Sequence, residues 1–239
     1  MKTLCLVACL FSTAAVPAFS QVTTIAQWTF ETSPGGTGAN GLEYGPRPPD
    51  VGSGSLTVSH AGGGPAATWQ FGVGNGSPGA LGSDHWFPGD SYNFSVGTLG
   101  YSNITVYYDQ RSDVSGPGDF VLLCNNVQIG QYGVLTSGTW NSTTPSSQYT
   151  RTFDLSAVPG ASNASIVNFR VISSDPGASI RAFSMIDNIT VTGVAIPEPH
   201  MFTLWLGVAC MSLVAGRRRV WASRTRSVST SRASLADAV

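Results

Sequence analysis

Gln21-Val22-Thr23-Thr24-Ile25-Ala26-Gln27-Trp28-Thr29-Phe30-Glu31 is the stretch on which the fold turns. Side chains alternate across an extended chain, so Val22, Ala26, Trp28 and Phe30 share one face while Thr23, Gln27 and Thr29 share the other. A face that is apolar at every second residue belongs against a core. The same period of two returns in Tyr92, Phe94 and Val96, in Ile104, Val106 and Tyr108, and in Val167, Phe169 and Val171. Further strands are expected near 54–60, 66–71, 119–124, 126–132, 149–155, 179–184 and 186–192. Gly and Pro clusters separate these runs, and no run free of them carries the 3.6-residue apolar period of a helix. About ten or eleven strands with polar outer faces predict two packed antiparallel sheets. The expected fold class is therefore all-β, a jelly-roll-like antiparallel sandwich. Its rival, an immunoglobulin-like sandwich, lacks its usual Cys pair here.

The strands occupy residues 21–195, a length suited to one domain, and the segments on either side have a different composition. Lys2 precedes an apolar stretch from Leu4 to Val16, and Ala18-Phe19-Ser20 places small residues where a signal peptidase reads, so residues 1–20 are expected to be a signal peptide. Cys9 follows Leu6-Val7-Ala8, but the apolar region before it is too short for lipoprotein processing. At the other end Pro197-Glu198-Pro199 leads into 16 residues from Met201 to Gly216 and then Arg217, Arg218 and Arg219. That run reaches roughly 24 Å as a helix, a little short of a bilayer core, and the long arginine stems help it span. A single transmembrane helix at about 201–216 is expected, followed by a basic tail at 220–239 without apolar period, expected to be disordered and cytoplasmic.

Charge agrees with that orientation. Residues 21–200 carry a net charge of −7 and residues 217–239 a net charge of +5, so the basic side stays in the cytoplasm and the acidic body lies outside. An acidic body also excludes nucleic acid as a partner, because that ligand needs a basic face.

Ile196-Pro197-Glu198-Pro199, the apolar segment and the arginine cluster together resemble the PEP-CTERM sorting signal of exported bacterial proteins. The resemblance implies recognition and processing by an exosortase-type membrane enzyme, with residues 196–219 as the sorting and anchor segment. It implies transient anchoring in the inner membrane, then delivery to the cell envelope or the extracellular space. The chain departs from the usual pattern by continuing from Val220 to Val239. Two prolines hold this segment extended and remove two backbone donors, which leaves Glu198 as the one charge a processing enzyme can grip.

Motifs for chemistry are sparse in the body. His60 and His85 are its only histidines, there is no Gly-x-Ser-x-Gly and no Cys-x-x-Cys, and the body is read as non-enzymatic. Gly74-Asn75-Gly76-Ser77-Pro78-Gly79 matches a dinucleotide fingerprint in letters alone, since more loop follows where a helix must start. The couples Asp84 with Asp90 and Asp109 with Asp113 sit near turns without a catalytic motif. Cys124 alternates with Phe120 and Leu122, as a small buried hydrophobe does.

Two candidate sites remain. Asp84, His85, Trp86 and Asp90 put carboxylates and an imidazole beside aromatics that either cover the end of the sandwich, as Trp86 and Phe87 suit, or stack on sugar rings, the makings of a carbohydrate-binding module that takes extracellular polysaccharide. Phe183-Ser184-Met185-Ile186-Asp187-Asn188-Ile189-Thr190-Val191 resembles the closing strand of jelly-roll carbohydrate-binding and adhesion domains. By parity Asp187 shares a face with Ile189 and Val191 and points inward, where a carboxylate is hydrogen-bonded or holds a cation. Calcium is the natural ion for Asp187 with Glu31 and a loop carbonyl. Six Asn-x-Ser/Thr sequons, at Asn75, Asn93, Asn103, Asn141, Asn163 and Asn188, support a further alternative, a type I membrane glycoprotein.

Overall fold

An extended segment with one apolar face buries it against another such face, and this chain does so in two antiparallel sheets. The computed structural model describes residues 21–31, 43–60, 69–175 and 183–197. Its strands are β1 (Val22–Trp28), β2 (Glu43–Arg47), β3 (Val51–Gly52), β4 (Gly54–Ser59), β5 (Trp69–Gly72), β6 (Ala80–Ser83) and β7 (Ser91–Val96). They continue as β8 (Tyr101–Ser112), β9 (Asp119–Cys124), β10 (Val127–Gly133), β11 (Thr150–Asp154), β12 (Val167–Ser173) and β13 (Ser184–Ala195). The first sheet has seven strands, with β11-β8-β13-β1-β3 in order, β6 paired to β13 and β5 paired to β6. The second has six, in the order β10-β9-β12-β7-β4-β2. Among the described residues the only helical piece is one 3-10 turn at Ser147–Tyr149.

The apolar faces meet as the alternation requires. Trp28, Ile104, Val106, Tyr108, Ile189 and Val191 come from the first sheet; Leu56, Phe94, Phe120, Leu122, Phe169 and Val171 come from the second. Phe94 stacks on Phe169 with ring centres 4.9 Å apart, and Trp28 lies 6.0 Å from Phe94. Cys124 is fully buried in the same cluster, and desolvation pushes its thiol up to about 11.

Three strands were not legible in the sequence. All four residues of β6 are buried, so it shows no alternation; β3 has only two residues; β2 contains Gly45-Pro46, which reads as a turn. The expected strand at 186–192 lies within β13, which begins at Ser184; residues 179–182 of the expected strand at 179–184 lie outside the described residues.

Parity fails where the chain bulges. In β13 the pairing to β8 shifts register between Asp187 and Thr190, with Asn188 at φ 52°, a left-handed conformation that asparagine tolerates. Ile186, Ile189 and Val191 all enter the core, so Asp187 is turned to the opposite side of the sheet from the one parity indicates. In β1 a shift between Thr24 and Ala26 buries Ile25 beside Ala26, and Val22 is 63% exposed rather than inward. Phe30 lies beyond β1 at φ 58° and is nonetheless buried.

The chain divides into residues 1–196 and 197–239. The expected signal peptide (1–20), the apolar run 201–216, Glu198, Pro199, Arg217, Arg218, Arg219 and the tail 220–239 lie outside the described residues. Within the described residues no helix is long and apolar enough to cross a membrane.

Truncating Phe169 to Ala removes the ring that stacks on Phe94, and the expected loss is about 3–5 kcal/mol. Urea unfolding followed by tryptophan fluorescence measures it; a loss below about 1 kcal/mol would mean the two sheets do not meet at this ring.

Candidate functional site

The loop after β6 places its residues unequally. Trp86 is 1% exposed, donates its indole N–H to the Ser83 carbonyl at 3.0 Å, and packs against Tyr92 and Phe120. Its ring is a plug for the sandwich end, with no face left for a sugar. Asp90 is equally buried, and one of its oxygens accepts the Phe87 N–H at 2.7 Å and lies 2.8 Å from His60 Nδ1. Asp84 and His85 keep partial exposure, with Oδ1 and Nδ1 2.8 Å apart.

His60 was not singled out from the sequence, yet it links two elements. Its Nε2 lies 2.9 Å from Ser83 Oγ, which completes a Ser83–His60–Asp90 chain in which all three side chains are buried. The order matches an acyl-transfer triad, but a nucleophile with no exposed surface meets no substrate. The chain instead satisfies buried polar groups that would otherwise be costly.

Asp187 sits in a second polar cluster, on the side of the first sheet away from the core. Its carboxylate accepts the Asn188 N–H at 2.7 Å, the Ser77 hydroxyl at 2.8 Å, the Asn75 N–H at 2.9 Å and the Asn188 side-chain amide at 3.1 Å. Asn188 also donates to Asp109 at 3.0 Å, and Asp109 accepts the Thr150 hydroxyl at 2.6 Å. The glycine-rich loop 74–79 is thus explained: a Cβ on Gly74 would collide with Ser77, Asp187 and the Gly79 carbonyl. Burial pushes the Asp187 carboxyl up to about 7 against the pull of the Ser77, Asn75 and Asn188 donors, and the neighbouring Asp109 adds to the rise.

A calcium ion needs oxygen ligands, whereas Asp187 is surrounded by donors that occupy its lone pairs. Glu31 has an exposed side chain. Among the described residues no group of three or more His, Cys, Asp or Glu is placed to hold a metal. The arrangement does not fit the ion. Nor are all sequons open to a glycan, since Asn75 is 4% exposed and exchanges hydrogen bonds with the Ser146 backbone.

An open cleft of about 340 Å³ lies on the outer face of the second sheet. Register builds its floor. Ser55, Ser95 and Asn168 lie side by side across β4, β7 and β12, and Thr57, Asn93 and Arg170 form the next row. Asn126, in the β9–β10 turn, also borders it. Phe94 and Phe169 contribute to the lining but their rings belong to the core. The cleft therefore offers hydroxyls, amides and one guanidinium, the groups that hydrogen-bond polyols. Sequence reasoning missed it because each residue is commonplace by itself.

No protein-family model matches the chain, and no curated protein matches it either. Among solved structures it is similar to TmCBM27, a carbohydrate-binding module with specific mannan recognition, at TM-score 0.40 and 12% identity over 73% of this chain and 99% of that one. It is similar to the K2 cleaved adhesin domain of Lys-gingipain at TM-score 0.40 and 14% identity, over 74% and 98% of the two chains. A third is the xylan-binding CBM22-1 domain of Paenibacillus barcinonensis Xyn10C, at TM-score 0.34 and 10% identity over 76% and 100%. These likenesses are remote, and the two-sheet fold rests on the strand pairing itself.

Asp187 makes stability depend on pH with a definite sign. Its folded pKa lies above the ordinary carboxylate value, so the folded state holds the proton more tightly and this contribution falls as pH rises from about 4 to about 7. Asp187→Asn keeps an acceptor and removes the titration. The melting temperature of the wild type relative to this variant is expected to drop across that window and level off above it; parallel curves would place the carboxyl in an ordinary environment. Adding a calcium chelator at neutral pH is expected to leave the wild-type melting temperature unchanged, and a fall of several degrees would put a cation at Asp187.

Proposed function

We propose that the sandwich is a non-enzymatic polysaccharide-binding module, displayed outside the cell on a chain sorted by its C-terminal segment. The observation that carries the binding reading is the cleft across β4, β7 and β12, whose two rows of hydroxyl and amide side chains face solvent on a rigid sheet. Hydroxyl-rich polymers suit such a floor, because each ring brings both donors and acceptors and loses little entropy on a preformed surface. Crossings between sheets, from β7 to β8, β8 to β9, β10 to β11, β11 to β12 and β12 to β13, make a jelly-roll our reading of the topology.

The sorting part rests on composition alone. A signal peptide at 1–20, the Pro197-Glu198-Pro199 segment, the apolar run 201–216 and Arg217 to Arg219 are the parts an exosortase-type enzyme would use. Such a chain is held in the inner membrane, cut, and released to the envelope or the extracellular matrix, where polysaccharide is the abundant partner.

Affinity electrophoresis of the full chain through gels holding neutral and acidic polysaccharides tests the binding part. Retardation by at least one polymer is expected, and Ser95→Ala combined with Asn168→Ala should weaken it about tenfold or more, two hydrogen bonds being lost, with the melting temperature unchanged. No retardation in any gel sinks the reading. Mass spectrometry of the mature protein tests the sorting part: the expected C-terminus lies near residues 197–199, and an intact residue 239 in the exported protein would exclude processing.

A further inference from the structure

We propose that the cleft selects an acidic glycan, with Arg170 taking the carboxylate of a uronic-acid unit; this rests on the polysaccharide reading above. Arg170 is the one charged residue among those that line the cleft. Its side chain is exposed, and its Nε donates to Asn93 Oδ1 at 3.2 Å. That same oxygen accepts the Ser91 hydroxyl at 3.0 Å, so the group that orients the guanidinium is itself held in place.

Among the described residues the two terminal nitrogens of Arg170 have no protein partner. Two other arginines of the body, Arg47 and Arg151, are engaged by the fold. Arg47 faces Asp50 and covers the Phe30 ring, while Arg151 donates to the carbonyls of Gln148, Thr150 and Gly133 and lies over Tyr132. Those two are consumed by the fold. Arg170 keeps its fork open in an acidic body, net charge −7 over residues 21–200, on a floor of neutral Ser, Thr and Asn.

A guanidinium with both terminal nitrogens open matches a carboxylate in two parallel hydrogen bonds. Thr57 in the same row, and Ser95 and Asn168 in the next, are left for the ring hydroxyls. Overall negative charge repels polyanions at long range, so recognition must come from this short-range pair and be sensitive to the geometry of the fork.

Titration of the full chain with polygalacturonate, with the same polymer fully methyl-esterified, and with dextran sulfate separates the outcomes. Polygalacturonate is expected to bind and the ester to bind at least tenfold more weakly. Arg170→Gln should lower polygalacturonate affinity about tenfold, Arg170→Lys should recover only part of it, and Arg151→Gln should change nothing. Both Arg170 variants are expected to melt with the wild type, because that side chain is exposed and gives the fold a single hydrogen bond. Equal binding of ester and acid, or an unaffected Arg170→Gln, overturns the assignment while the polysaccharide reading stands. Binding of dextran sulfate without polygalacturonate overturns the carboxylate in favour of a sulfate ester. Failure of every acidic and neutral polymer removes the polysaccharide reading and this inference with it.

Discussion

The tilted contact of Trp28 from one sheet on Phe94 of the stacked Phe94–Phe169 pair of the other is the interaction from which the remaining architecture follows. Few charges and no disulfide among the described residues leave apolar burial as the main source of stability. Because side chains alternate strictly along β7 and β12, inward Phe94 and Phe169 force Asn93, Ser95, Asn168 and Arg170 outward. Core and cleft are thus two sides of one constraint. A one-residue slip of β7 against β12 would expose the rings and bury the amides together.

Where that strict alternation is broken, polar groups gather. The Asn188 bulge lets Ile186 and Ile189 both reach the core and sends Asp187 beneath the glycine-rich loop, where four donors meet it. The close approach of Gly74 to Ser77, Asp187 and the Gly79 carbonyl is the steric counterpart of the same cluster. At the other polar site, the Ser83–His60–Asp90 chain joins the end of β4 to β6 and the following loop. Each cluster is buried and satisfied, so each specifies how loops dock onto the sheets rather than what the protein binds.

How much of this was legible depends on whether a signal is local. Alternation in Tyr92 to Val96 and Val167 to Val171 named the strands, and the paired apolar faces named the sandwich. The short or uniformly buried β2, β3 and β6 lack that period and were invisible. Trp86 and Asp90 looked like a binding loop because aromatics beside acids are the same letters whether they face a ligand or close a core. The cleft was hidden for the opposite reason. Ser55, Asn93 and Asn168 acquire meaning only once register sets them in neighbouring rows across three strands.

Cys124 carries a practical corollary. Its sulfur is enclosed by the core, with the thiol held well above its ordinary range of ionisation, so in the folded state it neither offers a thiolate to oxidants nor meets a second chain. A module built this way matures without a thiol oxidase and stays unlinked wherever the redox potential is high. Its covalent integrity is independent of the compartment in which it works.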